Sequence, residues 1–410
     1  MEYTDDQVRL FINKNIESCT AALADSYSLK EMTDAQNEIR NWPGYQFTPL
    51  YHLSSMAKAY TLGDILYKDE ESRFGLKSFK ALGGAYAVCR LLQKEVTKAT
   101  GKQISSLELW NGAYSDITEK ITVTTATEGN HGRSIAWGAN RFHCRSVIYI
   151  PKTCKAERQE AISRYGATVI RTSFGYDETV RECAREAQKN NWIIVSDTSW
   201  EGYTEIPSLV MQGYTVLASE IVSQLVSIRP PSHVFVQAGV GGLAAAIVAA
   251  FRCYWQKSVQ FVVVEAEGSA CLYVSAASGK LTPFPDKTQT IMAGLECGEA
   301  SPIAWQVLQS CANAFLTIPD SLTQDSMKLL AAAPYGDIPI VAGESGVAGL
   351  AALRFVLQSS KISKQLGLNS DSRVLLLGTE ADTAPGYYSQ LTGESAETVR
   401  ARAKAWNQSR

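Results

Sequence analysis

Between Ile121 and Val264, short β-branched runs alternate with longer stretches of helical spacing, and this rhythm leaves few folds open. Ile121 to Thr125 reads as a strand, Asn130 to Phe142 as a helix, Ser146 to Ile150 as a strand and Ala156 to Tyr165 as a helix. Thr168 to Arg171 (strand), Asp177 to Lys189 (helix) and Trp192 to Ser196 (strand) continue the pattern. After a turn at Trp200-Glu201-Gly202 come a long helix, Ile206 to Val226, the strand His233 to Gln237, the helix Leu243 to Trp255 and the strand Val259 to Glu265. Arg373 to Leu377 supplies a late, fully apolar strand. Strands separated by helices pair through crossovers and so lie parallel, with helices covering both faces. The expected class is α/β, with mostly parallel twisted sheets flanked by helices. No repeat or low-complexity linker interrupts the pattern, and the breaks at Pro230-Pro231 and Pro283-Phe284-Pro285 read as loops.

A chain of 410 residues predicts two or three domains with a sizeable core. A net charge of -2 leaves no electrostatic footprint for nucleic acid or an anionic membrane. No apolar run is long enough to cross a bilayer, and the acidic start, Met1-Glu2-Tyr3-Thr4-Asp5-Asp6, is no secretory signal. The nine cysteines form no CxxC pair, which points to mostly reduced thiols and a cytoplasmic location. With four histidines and none beside a cysteine cluster, no metal site is expected.

Three stretches carry the chemistry. In Phe74-Gly75-Leu76-Lys77-Ser78-Phe79-Lys80-Ala81-Leu82-Gly83-Gly84, a lysine lies among apolar residues beside a glycine pair. Most lysines are solvated, but a desolvated one has a lowered pKa and serves as nucleophile and proton shuttle. Lys77, one helical turn away, is the competitor, and Lys80 is preferred because it abuts the glycines. The second stretch, Thr125-Ala126-Thr127-Glu128-Gly129-Asn130-His131-Gly132, lies at a strand end and a helix start, where backbone N–H groups attract a carboxylate. Thr127, Gly129 and His131 are therefore candidate substrate-binding residues, while Asn130 could equally be a helix cap. The third, Gly239-Val240-Gly241-Gly242-Leu243, follows a strand and opens a helix, the setting in which amides hold a phosphate. An ordinary tight turn is the alternative. So is a dinucleotide site with Glu265 as its acidic partner, although the full GxGxxG pattern is missing. A buried amine, a polar loop and a phosphate cradle together suggest pyridoxal 5'-phosphate, which needs a lysine for its Schiff base.

Ser78-Phe79-Lys80, Gly129-Asn130-His131-Gly132 and the Gly239 to Leu243 turn, in this order, resemble the fold-type II pyridoxal-phosphate enzymes. Arg73-Phe74-Gly75-Leu76, Thr125-Ala126-Thr127, Trp200-Glu201-Gly202-Tyr203 and Met211-Gln212-Gly213-Tyr214 are similar to the diaminopropionate ammonia-lyases within that group. So are Ile291-Met292-Ala293-Gly294-Leu295 and Gly343-Glu344-Ser345-Gly346. Together these stretches span about residues 45 to 385.

The resemblance implies α,β-elimination of ammonia from 2,3-diaminopropionate or a close β-substituted amino acid, giving pyruvate and ammonia. It implies a large cofactor-binding domain from residues 1–85 and 213–410, a small domain from 86–212, and a homodimer. Lys80 would bind the cofactor covalently, Asn130 would bond its 3-hydroxyl, and Gly239, Val240, Gly241, Gly242 and Leu243 would hold its phosphate. Thr379, after the last strand, would face the pyridine nitrogen, with Glu344 and Ser345 as secondary candidates. Two carboxylates would serve the two substrate stereoisomers, Asp197 for one and Glu128 for the other. At 128 the family pattern has Asp, so Glu extends the carboxylate by one C–C bond, about 1.5 Å. A β-replacement synthase, a serine/threonine dehydratase and a non-catalytic binding homologue remain the alternatives.

Overall fold

The structure is a computed structural model that describes residues 8–14, 16, 28–127, 129–255, 258–285 and 289–409. The chain divides into two compact units. One is built from Lys30–Gln46 and Arg73–Leu217, the other from the described residues of Met1–Leu29, Phe47–Ser72 and Ala218–Arg410. The sequence-based division at 85/86 and 212/213 differs from these bounds. A single helix, Lys80–Thr100, runs through the first of those positions, and another, Glu205–Gln224, through the second.

The first unit holds strands β4 (Thr122–Ala126), β5 (Arg145–Ile150), β6 (Thr168–Arg171) and β7 (Ile193–Ile194). They pair in the order β6-β5-β4-β7, all parallel. The intervening helices Asn130–Arg141, Ala156–Ser163 and Tyr176–Asn190 are the crossovers that parallel pairing demands. β7 is shorter than the expected Trp192 to Ser196. The Tyr203 hydroxyl donates to Ile194 O at 2.8 Å and accepts from Ser196 N at 3.1 Å, so a side chain takes over where the ladder stops. The Lys80–Thr100 and Asn130–Arg141 helices pack closely through small residues. A Cβ on Gly138 would lie 2.8 Å from Ala85 Cα, and one on Gly84 would strike Ser134 Oγ. Trp42 anchors an aromatic cluster, with Phe142 edge-on at 5.3 Å and Trp137 at 6.2 Å between ring centres.

The second unit holds β1 (Leu10–Ile12), β2 (Leu50–His52), β3 (Asp64–Asp69), β8 (His233–Gln237), β9 (Gln260–Ala266), β10 (Ala314–Ile318) and β11 (Arg373–Gly378). The order is β1-β10-β9-β8-β11-β3-β2. The five inner strands are parallel, while the three-residue edge strands β1 and β2 are antiparallel. β8 and β10 are buried along their whole length, as strands covered on both faces must be. The helix Gly242–Trp255 is buried from Gly242 through Arg252. Both units are thus α/β with mostly parallel sheets, as the strand–helix rhythm implies. Among the described residues no helix is long and apolar enough to cross a membrane.

Candidate active site

Lys80 opens its helix, with Phe79 at the N-cap, and its amide donates to Ser78 Oγ at 3.4 Å. Its ammonium donates to Asp197 Oδ2 at 2.6 Å, and both side chains are only 19% exposed. Lys80 Nζ also lies 5.2 Å from the centre of the Phe79 ring and 5.7 Å from that of Tyr214. Lys77 does not stand one helical turn from Lys80. The helix begins at Lys80, and Lys77 precedes it with a left-handed φ of 54°.

Asp197 follows β7 on a segment braced by the Tyr203 hydroxyl and by a tight turn in which the Trp200 and Tyr203 rings stack at 4.1 Å. His131 is the second residue of the Asn130–Arg141 helix. Its Nε2 lies 2.9 Å from Val195 O. A carbonyl only accepts, so Nε2 carries the proton. Nδ1 is left without a hydrogen bond, 3.7 Å from Asp197 Oδ2. The loop before this helix is shaped by Thr127, whose Oγ1 accepts from Gly129 N at 3.0 Å and Gly132 N at 3.1 Å. Capping therefore falls to Thr127. Gly129 is the N-cap residue and the half-buried Asn130 is the first residue of the helix. Glu128 lies outside the described residues.

Charge organises this cluster. Burial disfavours the Asp197 carboxylate, yet the neighbouring His131 and Lys80 outweigh it and hold its pKa well below the usual range. Burial likewise works against the Lys80 ammonium, and the Asp197 charge overrides it, so its pKa stands above the ordinary lysine value. Burial lowers the His131 pKa against the pull of Asp197. The pair is a charged lysine held by a charged aspartate in a shielded place.

In the second unit, Gly239–Leu243 joins β8 to its helix. A Cβ on Gly239 would lie 2.9 Å from Cys297 Sγ and 3.1 Å from Gly294 O, and Gly241 has a φ of 97°. Ser301 N fixes the turn from outside by donating to Val240 O at 2.8 Å. The first amides of a helix have no acceptor inside it, which leaves those of Gly242 and Leu243 to an anion. Glu265 is not a dinucleotide partner. Its carboxylate accepts from Leu272 N at 2.8 Å and Tyr273 N at 2.7 Å, at the start of the helix Cys271–Ser278.

Thr379 is 3% exposed just after β11. Its Oγ1 accepts from Gln237 Nε2 at 2.9 Å, and the same nitrogen donates to Leu377 O at 2.8 Å. Because the Thr379 oxygen is already accepting, its own proton remains free to donate. Ser345 Oγ accepts from Gly294 N at 3.0 Å, and Ser345 N donates to Glu380 Oε1 at 3.0 Å, so Ser345 is tied to the Met292 stretch.

A family model described as pyridoxal-phosphate dependent enzyme matches residues 42–380. This chain belongs to the pyridoxal-phosphate dependent enzymes. It is 40% identical over 362 residues to the diaminopropionate ammonia-lyase of Escherichia coli K12, covering 87% of this chain and 89% of that one. The crystal structure of the Escherichia coli enzyme with an aminoacrylate-PLP azomethine reaction intermediate matches with a TM-score of 0.84 at 36% identity, over 94% of this chain and 96% of that one. The same enzyme in complex with D-serine matches with a TM-score of 0.86 at 36% identity, over 96% and 98%. The fold is that of the fold-type II enzymes, and the cofactor is pyridoxal phosphate.

The residues present suit that cofactor. Gly239 sits where a larger residue would collide with Cys297 and Gly294, the close backbone approach that a phosphate cradle requires. Three residues of this pyridoxal-phosphate dependent enzyme escaped sequence reasoning as site residues: Tyr203, Tyr214 and Gln237. Tyr203 and Tyr214 close the Trp200-Glu201-Gly202-Tyr203 and Met211-Gln212-Gly213-Tyr214 stretches. Gln237 carried a legible signal, a polar residue ending the apolar run Val234-Phe235-Val236.

Proposed function

We propose that this chain eliminates ammonia from 2,3-diaminopropionate, taking up one water and releasing pyruvate and two ammonia. The observation that carries the reading is the Lys80–Asp197 pair at 2.6 Å. A candidate cofactor lysine and a candidate base then lie within one proton transfer of each other. When bound, pyridoxal phosphate supplies the electron sink that lets an amino acid lose its α-proton and then its β-substituent.

The chain's own residues do the rest. Lys80 would hold the cofactor and move protons. The amides of Gly239, Val240, Gly241, Gly242 and Leu243 would hold its phosphate. Asn130 would bond its 3-hydroxyl, and Thr379 would donate to its pyridine nitrogen. The loop of Thr127, Gly129 and His131 receives the substrate carboxylate at a helix N-terminus. Asp197 takes the α-proton of one stereoisomer and Glu128 that of the other. While Lys80 is charged, Asp197 is a weak base; once that charge is gone, Asp197 faces only His131 and its basicity rises. The working protein is a cytoplasmic homodimer.

A substrate panel tests the proposal: both diaminopropionate isomers, both serines, threonine and other β-substituted alanines, with pyruvate and ammonia measured, with and without an added thiol. The expected result is fastest turnover of a diaminopropionate isomer with a 1:2 ratio of pyruvate to ammonia. Faster turnover of serine or threonine, or a thiol adduct in place of pyruvate, would overturn it. Lys80→Ala is expected to abolish turnover and the cofactor's visible absorbance.

A further inference from the structure

His131 is 5% exposed, and its two ring nitrogens have unequal partners. Nε2 is committed as a donor to Val195 O at 2.9 Å. Nδ1 is buried without a hydrogen bond and faces Asp197 Oδ2 at 3.7 Å. A buried nitrogen without a partner is costly, and native structures rarely keep one without a reason. As a bare lone pair, Nδ1 has nothing to give a carboxylate. With a proton it becomes a cationic donor aimed at one. Asp197 has its cation elsewhere, because Lys80 Nζ donates to the same Oδ2 at 2.6 Å. One carboxylate oxygen thus stands between two nitrogens, each able to carry its partner charge.

The two do not carry it together. Burial works against a charge on His131, Asp197 works for it, and the Lys80 charge works against it. The other titratable groups here are the phenols of Tyr203, from the turn after Asp197, and Tyr214, from the Glu205–Gln224 helix. Burial raises the pKa of both, so neither is charged at neutral pH. Among the described residues, His131 and Lys80 are the side chains whose charge steadies the buried Asp197. An amine bonds to an aldehyde through its lone pair, so Lys80 gives up the ammonium form when it takes the cofactor. We propose that His131 is a positioning residue that then takes over as the cationic partner of Asp197, holding at Nδ1 the proton that Lys80 gives up. An N–H bond breaks at Nζ, Oδ2 carries the proton across, and an N–H bond forms at Nδ1. The charge of the cluster is unchanged, and Asp197 keeps a donor. The proposal rests on the reading of Lys80 as the cofactor lysine.

The test is a pH titration of the imidazole nitrogens by NMR on full-length protein labelled with 15N-histidine. The chain has four histidines, and His131→Gln identifies the signals of this one. In cofactor-free wild type the ring should carry its proton on Nε2 alone at neutral pH. In Lys80→Met, which has no charge to offer Asp197, protonation of Nδ1 should set in about one pH unit higher or more. Adding Asp197→Asn to Lys80→Met should remove most of that rise. At a pH where the two cofactor-free proteins differ, wild type loaded with pyridoxal 5'-phosphate should show the protonated Nδ1 of Lys80→Met. Identical titrations in wild type and Lys80→Met would overturn the proposal. So would a rise that is as large without Asp197, or an Nδ1 that stays bare in the loaded protein. Cofactor absorbance in Lys80→Met matching that of wild type is a separate result, and it would overturn the assignment of Lys80 itself.

Discussion

Asp197 meets Lys80 at 2.6 Å and approaches His131 Nδ1 to 3.7 Å, and these two neighbours keep it ionised despite burial. If it is the base for one stereoisomer, Asp197→Asn should lower kcat on that isomer by about 10²–10⁴-fold, the usual worth of a positioned general base. The other isomer should be spared, because the resemblance assigns it to Glu128. Separate assays on the two enantiomers check this, with cofactor absorbance as the control for folding. An equal loss on both would overturn the division of labour. At this scale, Lys80 was legible because apolar neighbours and a glycine pair set it apart from solvated lysines. Asp197 was legible only through resemblance, since nothing near it in sequence distinguishes a loop carboxylate from a site residue. Tyr214 was not legible as a site residue, because only the fold brings its ring to 5.7 Å from Lys80 Nζ.

At the scale of elements, strand ends do the positioning. β7 stops early and hands its backbone to Tyr203, β8 ends in Gln237, and the penultimate residue of β9, Glu265, caps the Cys271–Ser278 helix. Burial pushes the Glu265 carboxyl up to about 8 against the two amides that favour its charge. The folded protein then holds a proton at Glu265 that the unfolded chain releases near the ordinary Glu value of about 4.5. Where the native state binds more protons, stability falls as pH rises, here between about 4.5 and 8. Glu265→Gln removes this dependence. The stability of the variant relative to wild type should rise by about 3 kcal/mol from pH 5 to pH 8, read from urea unfolding at both pH values. A constant difference would sink the claim.

The strands themselves were legible where β-branched runs were dense, as in β4, β6, β8 and β9. The edge strands β1 and β2 were not, because three residues give too little alternation. Nor was β3, because Asp64, Lys68 and Asp69 disguise a strand whose Lys68 is buried by pairing.

At the scale of the whole molecule, the second unit is discontinuous, and the chain leaves it after Ser72 and returns at Ala218. Lys68 stands just before the exit and Glu220 just after the return. Their side chains, both 0% exposed, meet at 2.7 Å. Lys68 Nζ also donates to Thr48 O at 2.8 Å and Gln224 Oε1 at 2.9 Å, while Glu220 Oε2 accepts from Thr48 N at 3.3 Å. One ionic network thus joins three segments far apart in sequence at the place where the interrupted unit must close. Pattern reading sees each of these residues as an exposed polar position, because only the closure of the chain brings them together. A buried pair need not stabilise more than an apolar one, but removing one partner strands the other charge. Glu220→Gln should therefore cost about 3–5 kcal/mol, while Lys68→Met with Glu220→Leu should recover most of that loss. A double-mutant cycle by urea unfolding, with Lys68→Met and Glu220→Leu also measured singly, gives the coupling. If Glu220→Gln unfolds at the wild-type midpoint, or the double variant is no better than the single ones, the network is not what closes the unit.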